Sequence, residues 1–478
     1  MQRIRLAATA LAFALPLPFA GGATAQSIND VAKAMGVGKA ETLHYIGAGT
    51  FWGVGQSFRP GEAWPRFNMV RATRAFDLKR EIFVNDFVVT QGENPPRGGA
   101  QQPLFGEQRR ASGIAGDKAW IVMGAFTMAS RRFQPTLLHD YWTSPHAVVR
   151  AAAADKARLT PAEGGATFEV VRAGQWKARV FVGRTNLVER VESWVDSPVL
   201  GDMAVVTAYG AYKEFDGVMA PTRIQQSAGG HPVLDFTASE VKVNAGGLAA
   251  PAAIREAPET VKVEKATDGV WFVTGGSHHS IAVEMRDHVI VFECPLGDER
   301  TLAMLDAVKK TIPGKPIRFA VNTHHHFDHS GGLRACAAEG ATLVTHALNK
   351  PYFEQAFTAP RTLSPDALAR SGKKAEIVGF EDKHVFTDGA RTLELHRVKD
   401  NSHNDALIIG YLPKEKILLV ADAFSPREPI TAVPARLNTF TTNLWANLQQ
   451  LKLDVETVLP IHGRMVKVEE LRLAAGVK

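Results

Sequence analysis

The chain has 478 residues, 45% of them hydrophobic and 22% charged, with a formal net charge of +6. That length exceeds one ordinary core and implies two domains of roughly 200 residues each. No Lys/Arg cluster stands out from the modest positive balance, which argues against nucleic acid as a partner.

Residues 1–25 read as a secretory signal peptide. Arg3 and Arg5 make a positive start, Leu6 to Ala20 is an apolar run, and Ala23-Thr24-Ala25 is a small-x-small cleavage pattern ahead of Gln26. The run is short for a membrane span, and Pro16 and Pro18 interrupt it. Loss of Arg3 and Arg5 takes the charge from +6 to +4. The mature protein is therefore expected to be periplasmic or secreted. In such a compartment Cys294 and Cys336 can pair, or stay as two buried thiols; both readings are open.

Residues 26–243 are expected to be rich in β-strands. Ala178 to Val182, Leu187 to Val195 and Met203 to Tyr209 are apolar or β-branched runs bounded by turn signals. Asp216-Gly217 marks a hairpin turn. Gln91 to Gly106 is polar and rich in Pro and Gly, so a mobile loop is expected there. Trp176 and Trp194 are assigned to the core. Residues 244–258, with small residues, glycines and prolines, form the linker.

From residue 259 onward strands alternate with helices, the pattern of an α/β domain. Strands are expected at Val289 to Phe292, Ile317 to Val321, Thr342 to Thr345, Leu393 to Val398, Ala406 to Tyr411 and Ile417 to Ala421. Asp298 is expected to cap a helix carrying Leu302, Leu305 and Val308 on one face. Further helices are placed at Leu444 to Leu453 and Val466 to Ala475. The segment Pro351 to Ser371 is expected to wall a pocket.

The chemistry concentrates where the strand Ile317 to Val321 ends. His324-His325-His326-Phe327-Asp328-His329 puts four histidines and an aspartate into six positions. Such groups buried without partners lose on the order of 2–7 kcal/mol of solvation each. A metal ion satisfies them together, because neutral histidine and aspartate are common zinc ligands. His324 and His326, two apart, point the same way on an extended segment. Asp328 and His329 diverge from them and suit a second ion. Further ligands are available at His403 in a polar loop, at Asp422 directly after an apolar strand, and at His462 in a turn.

His324-x-His326-x-Asp328-His329, followed in order by His403, Asp422 and His462, resembles the signature of the metallo-β-lactamase superfamily. The resemblance covers residues 259–478. It implies an αββα sandwich preceded by the β-rich domain. It also implies two zinc ions per chain, one on His324, His326 and His403 and the other on Asp328, His329 and His462. Asp422 would bridge them, with a bridging hydroxide as nucleophile, and Asp328 and Asp422 would be the catalytic carboxylates. Where the family has an aspartate that orients a ligand, this chain has Glu293. His278 and His279 are candidates for substrate contact. His325 is read as facing away from the ions, and His346, His384 and His396 as structural. The N-terminal strands, with Asp216 to Thr222 near their end, resemble the open half-barrel of periplasmic lipoprotein carriers, which implies room for an apolar or acyl ligand.

The function implied is an exported binuclear zinc hydrolase acting on an ester, thioester, lactone or related carbonyl substrate. Histidine rather than glutamate at 326 and aspartate at 422 favour this over the family's di-iron and β-lactam chemistries. A β-lactam hydrolase, an iron-dependent redox enzyme on the same fold and a non-enzymatic lipid carrier are the alternatives.

Overall fold

The computed structural model describes residues 27–172, 176–256 and 260–478. The expected signal peptide lies outside the described residues. Among these, no helix is long and apolar enough to cross a membrane.

In the N-terminal domain thirteen strands form one sheet in which every neighbouring pair is antiparallel. The first strand, Thr42–Trp52, pairs with the last, His231–Val243, so the two ends of the meander meet mid-sheet. Alternation makes one face apolar. Along Trp176–Gly183 the residues Trp176, Ala178, Val180 and Val182 are buried, while Lys177 and Arg179 are exposed. Trp194 falls on the other face, where Lys177 Nζ sits 4.7 Å from its ring, so it is half-buried and not a core residue. Asp216 and Gly217 hold φ of 49° and 75° in the hairpin turn between Gly201–Phe215 and Val218–Ala228.

The apolar face of this sheet is not an open cradle. The helices Gln134–Trp142 and Pro145–Ala154 lie on it and bury Leu137, Tyr141, Val148 and Val149 in the sheet's core. The cavity left beneath them, beside Tyr45, His146 and Tyr209, has a volume of about 20 Å³. That is space for roughly one water molecule and not for an acyl chain. The helices thus fill this part of the sheet, while a wider, open hollow of about 730 Å³ lies elsewhere on it beside Ile46, Val70, Phe87 and Val88.

Gln91 to Gly106 also departs from expectation. It is pinned rather than mobile. Gly98 N donates to Ser402 O at 2.9 Å, Ala100 N to the Gln56 side chain at 2.9 Å, and Gln102 to the Gly99 and Arg97 carbonyls. A polar loop can be buried when its backbone groups find partners elsewhere.

The C-terminal domain has two sheets. The first runs from Lys262–Thr267 to Ile377–Phe380 in seven strands, and the second from Lys383–Thr387 to Val466–Lys467 in six. Three apolar clusters define its layers. One joins the sheets through Ile290, Phe292 and Val321 on one side and Leu395, Ile408 and Leu419 on the other. A second packs the first sheet on the helices Asp298–Thr311 and Leu333–Glu339, and a third packs the second sheet on Thr439–Gln450 and Val468–Ala474. This is the expected αββα sandwich.

Two local expectations change. Gly297, not Asp298, is the N-cap. Asp298 is the first helical residue, and its carboxylate accepts the Ala367 amide at 2.6 Å. Residues 357–366, within the segment expected to wall a pocket, join the domains. Asp202 accepts the Thr362 and Leu363 amides, and Arg361 donates to the carbonyls of Ser197 and Val199 at 3.1 and 3.0 Å.

Cys294 and Cys336 are joined by a disulfide that closes a sequence separation of 42 residues within the first sheet's outer core. Closing a loop of that length removes about 4 kcal/mol of chain entropy from the unfolded state. The double serine variant is expected to lose stability on that scale in guanidinium denaturation. A loss below about 1 kcal/mol would show that the bridge does not act through chain entropy.

Candidate metal centre

The ligand loop starts at the C-terminal end of Ile317–Val321, a strand held parallel between Val289–Phe292 and Thr342–His346. A short helix, Phe327–Ser330, then turns Asp328 and His329 out of line with His324 and His326. Asp422 follows the strand Ile417–Val420 and His462 follows Thr457–Pro460, so both arrive from the second sheet at the same edge.

Two groups of donor atoms form there, each within 4.8 Å: His324, His326, His403 and Asp422 in one, and His278, His329 and His462 in the other. In the first, His324 Nε2 lies 3.0 Å from His326 Nδ1 and 3.3 Å from His403 Nε2. In the second, His329 Nε2 and His462 Nε2 are 3.2 Å apart. Asp422 connects the groups. Its Oδ1 is 2.8 Å from His329 Nε2 and 2.9 Å from His462 Nε2, and its Oδ2 is 3.1 Å from His403 Nε2.

The outward nitrogens of these rings are held. His324 Nδ1 is 2.9 Å from Thr323 Oγ1. His326 Nε2 donates to Ser57 O at 2.9 Å, and His462 Nδ1 to Ser277 O at 3.0 Å. His329 Nδ1 is 2.7 Å from Glu293 Oε2, while Glu293 Oε1 accepts the Thr323 amide at 2.6 Å. Glutamate thus reaches the orienting position assigned to it, from a backbone with φ of 73° that non-glycine residues seldom adopt. A ring that donates outward to a carbonyl or carboxylate keeps its other nitrogen bare for a metal.

The donor set fits a metal ion. Ring nitrogens converge in pairs at 3.0–3.3 Å. Tetrahedral ligands about 2.0–2.1 Å from an ion stand roughly 3.3 Å apart. Burial, reinforced by the neighbouring rings, holds His324 and His326 well below the usual imidazole range, so they are neutral. Burial pushes Asp422 up, but His329, His462 and His403 outweigh it and keep the carboxylate ionised. Burial works against a charged His329, yet Asp422 and Glu293 raise it.

The structure places every ligand candidate at this edge but redistributes two of them. His278 is buried and belongs to the second donor group, its ring 4.2 Å from that of His462. Asp328 stands one step back. Its Oδ2 is 3.3 Å from His278 Nε2, its Oδ1 accepts Gln56 Nε2 at 2.7 Å, and Arg132 lies 3.8 Å away. His279 is directed elsewhere, donating to Gly463 O at 2.8 Å. His325 turns from the donor groups to Ser57 Oγ and Asn404 Nδ2. His346, His384 and His396 pack or pair away from the site. Sequence reasoning missed Gln56, Ser57 and Arg132. No motif marks them, and they lie in the other domain.

Residues 273–462 match the family model described as the metallo-beta-lactamase superfamily. A 74-residue stretch is 34% identical to a linear primary-alkylsulfatase from a Pseudomonas species, covering 15% of this chain and 11% of that protein. The chain thus matches about a tenth of that relative's length. Among solved structures, a metallo-beta-lactamase from Pontibacter korlensis is 21% identical with a TM-score of 0.35, covering 46% of this chain and 98% of its own. The rubredoxin oxygen:oxidoreductase of Desulfovibrio gigas is 16% identical with a TM-score of 0.35, covering 45% and 61%.

Proposed function

We propose, from the premise that residues 273–462 form a metallo-beta-lactamase superfamily domain, that this chain is an exported hydrolase with two zinc ions that cleaves an ester-type bond. One observation carries the reading: a single carboxylate, Asp422, is shared by two histidine groups. His324, His326 and His403 would hold one ion. His329 and His462 would hold the other with Asp328, and His278 is close enough to share that role. When bound, such a pair supplies a water ionised near neutral pH and a Lewis acid for the bond being cut.

The chain's own residues do the rest. Glu293 and Ser57 fix the tautomers of His329 and His326. Asp328, ionised and beside His278 and Arg132, is placed to take the proton that hydrolysis releases. Arg132 is half-exposed 3.8 Å from Asp328 and offers a cation to an anionic group on the substrate. That cation, together with the alkylsulfatase-like stretch, favours sulfate esters as a second substrate class beside carboxylic esters, thioesters and lactones. The disulfide suits an oxidising compartment and supports export.

The test is elemental analysis of full-length protein purified without chelator or added metal, with an ester, lactone, thioester, sulfate-ester and β-lactam screen. Two zinc ions per chain and hydrolysis of one ester class are expected. Stoichiometric iron with oxygen consumption would overturn the hydrolase reading in favour of a redox enzyme. An empty site with co-purified lipid would overturn it in favour of a carrier.

A further inference from the structure

Three consecutive residues of the N-terminal domain, Gly55, Gln56 and Ser57, reach the ligand loop from outside the family-matched segment. After the strand Thr42–Trp52 the chain crosses against residues 324–329. Gly55 O accepts the Phe327 amide at 3.1 Å, Gln56 Nε2 donates to Asp328 Oδ1 at 2.7 Å, and Ser57 O accepts His326 Nε2 at 2.9 Å. Gln56 is buried, and its other side-chain atom is committed too: Oε1 accepts the Ala100 amide. The glycines here permit the close approach. A Cβ on Gly55 would stand 2.2 Å from the Phe327 ring, and one on Gly99 would stand 2.0 Å from Gln56 Oε1 and 2.9 Å from His326 Cε1.

These contacts are specific in direction. A carbonyl only accepts, so Ser57 O requires the hydrogen of His326 on Nε2, and the neutral ring then presents a bare Nδ1 to His324. A primary amide offers both donor and acceptor, and with Oε1 held by Ala100, Nε2 is aimed at Asp328.

We infer that the N-terminal domain is a working part of the metal centre, with Gln56 the positioning residue for Asp328 and the Ser57 carbonyl setting the ligating tautomer of His326. The inference rests on the ligand set proposed above. Partners of this kind typically govern metal affinity by 10–100-fold.

The experiment titrates metal-free, full-length protein with Co(II), reading stoichiometry and the visible absorption bands. Gln56→Leu and Gln56→Glu are compared with wild type and with Arg59→Ala. Arg59 pairs with Asp405 at 2.7 Å across the same interface but touches no ligand. Both Gln56 variants are expected to weaken the second Co(II) by about 10–100-fold and to alter its bands, leaving the first unchanged. Arg59→Ala is expected to bind two ions as wild type does. The Glu variant keeps the size and polarity of the side chain should the Leu variant fold poorly.

Wild-type affinity in both Gln56 variants would overturn the inference. So would an equal loss in Arg59→Ala, which would assign the effect to a loosened interface. Failure of the wild type itself to bind two ions would instead strike the ligand set, and so the two failures are distinguishable.

Discussion

Asp422→Asn is expected to empty both halves of the metal centre and to lower kcat/KM by more than about a thousandfold, some 4 kcal/mol of barrier. The reason lies in what the carboxylate faces. Its Oδ1 lies within 2.9 Å of His329 and His462, and its Oδ2 is 3.1 Å from His403. Among the described residues it is the one carboxylate within 3.1 Å of ring nitrogens from both groups. Asparagine keeps the shape, removes the charge and turns an NH₂ toward nitrogens that must remain bare. The two histidine groups would then share no protein carboxylate to offset the charge of ions bound there. Metal content, steady-state kinetics and circular dichroism together check this. Retention of two ions at wild-type activity would show that Asp422 does not join the groups.

Asp366→Ala is expected to be the most destabilising single change away from the metal centre, costing about 3–5 kcal/mol. Asp366 lies between two almost fully buried guanidinium groups. Arg334 pairs with it through Nε and through Nη2 at 3.1 Å, and Arg361 Nε is 3.0 Å away. Removing the carboxylate leaves both cations buried without their anion. Arg361 also holds the carbonyls of Ser197 and Val199, so the loss is expected to reach the seam between the domains.

The pH dependence gives a second readout. Burial pushes the Asp366 carboxyl up, but Arg334, the Ala369 amide and Arg361 outweigh it, so its folded pKa lies below the usual value. Such a group contributes stability that is fully present above the unfolded pKa, near 4, and lost as pH falls through the folded one. Urea denaturation of wild type and variant is therefore expected to differ most at neutral pH and to converge in acid below about pH 4. A constant gap from pH 7 to pH 3 would mean that the loss is one of packing and not of charge.

Much of the metal centre was legible in order along the chain. The clustering of His324, His326, Asp328 and His329 after an apolar run, and the placing of Asp422 after another, are local facts. Strand periodicity alone puts such residues at one end of a sheet, because side chains at a strand terminus sit in the loops where ligands meet. The layered fold followed the same logic. The run Val289 to Phe292 is apolar throughout because both faces of its strand are covered, whereas Ile317 to Val321 carries the exposed Arg318 and is fully buried only at Ile317, Ala320 and Val321.

What the sequence by itself determined was a set of candidate ligands, their order and the alternation of elements in the second half. All of these depend on spacings of a few residues. Only the tertiary structure decided that His278 joins the second donor group, that Cys294 meets Cys336 and that Gln91 to Gly106 is pinned. The same holds for the helices that close over the apolar face of the first domain. Each of these rests on contacts between distant segments, Gln56 and Asp328 being 272 positions apart. A polar loop reads as mobile until the donors and acceptors that satisfy it are known. Those partners are supplied by packing, which no local period encodes.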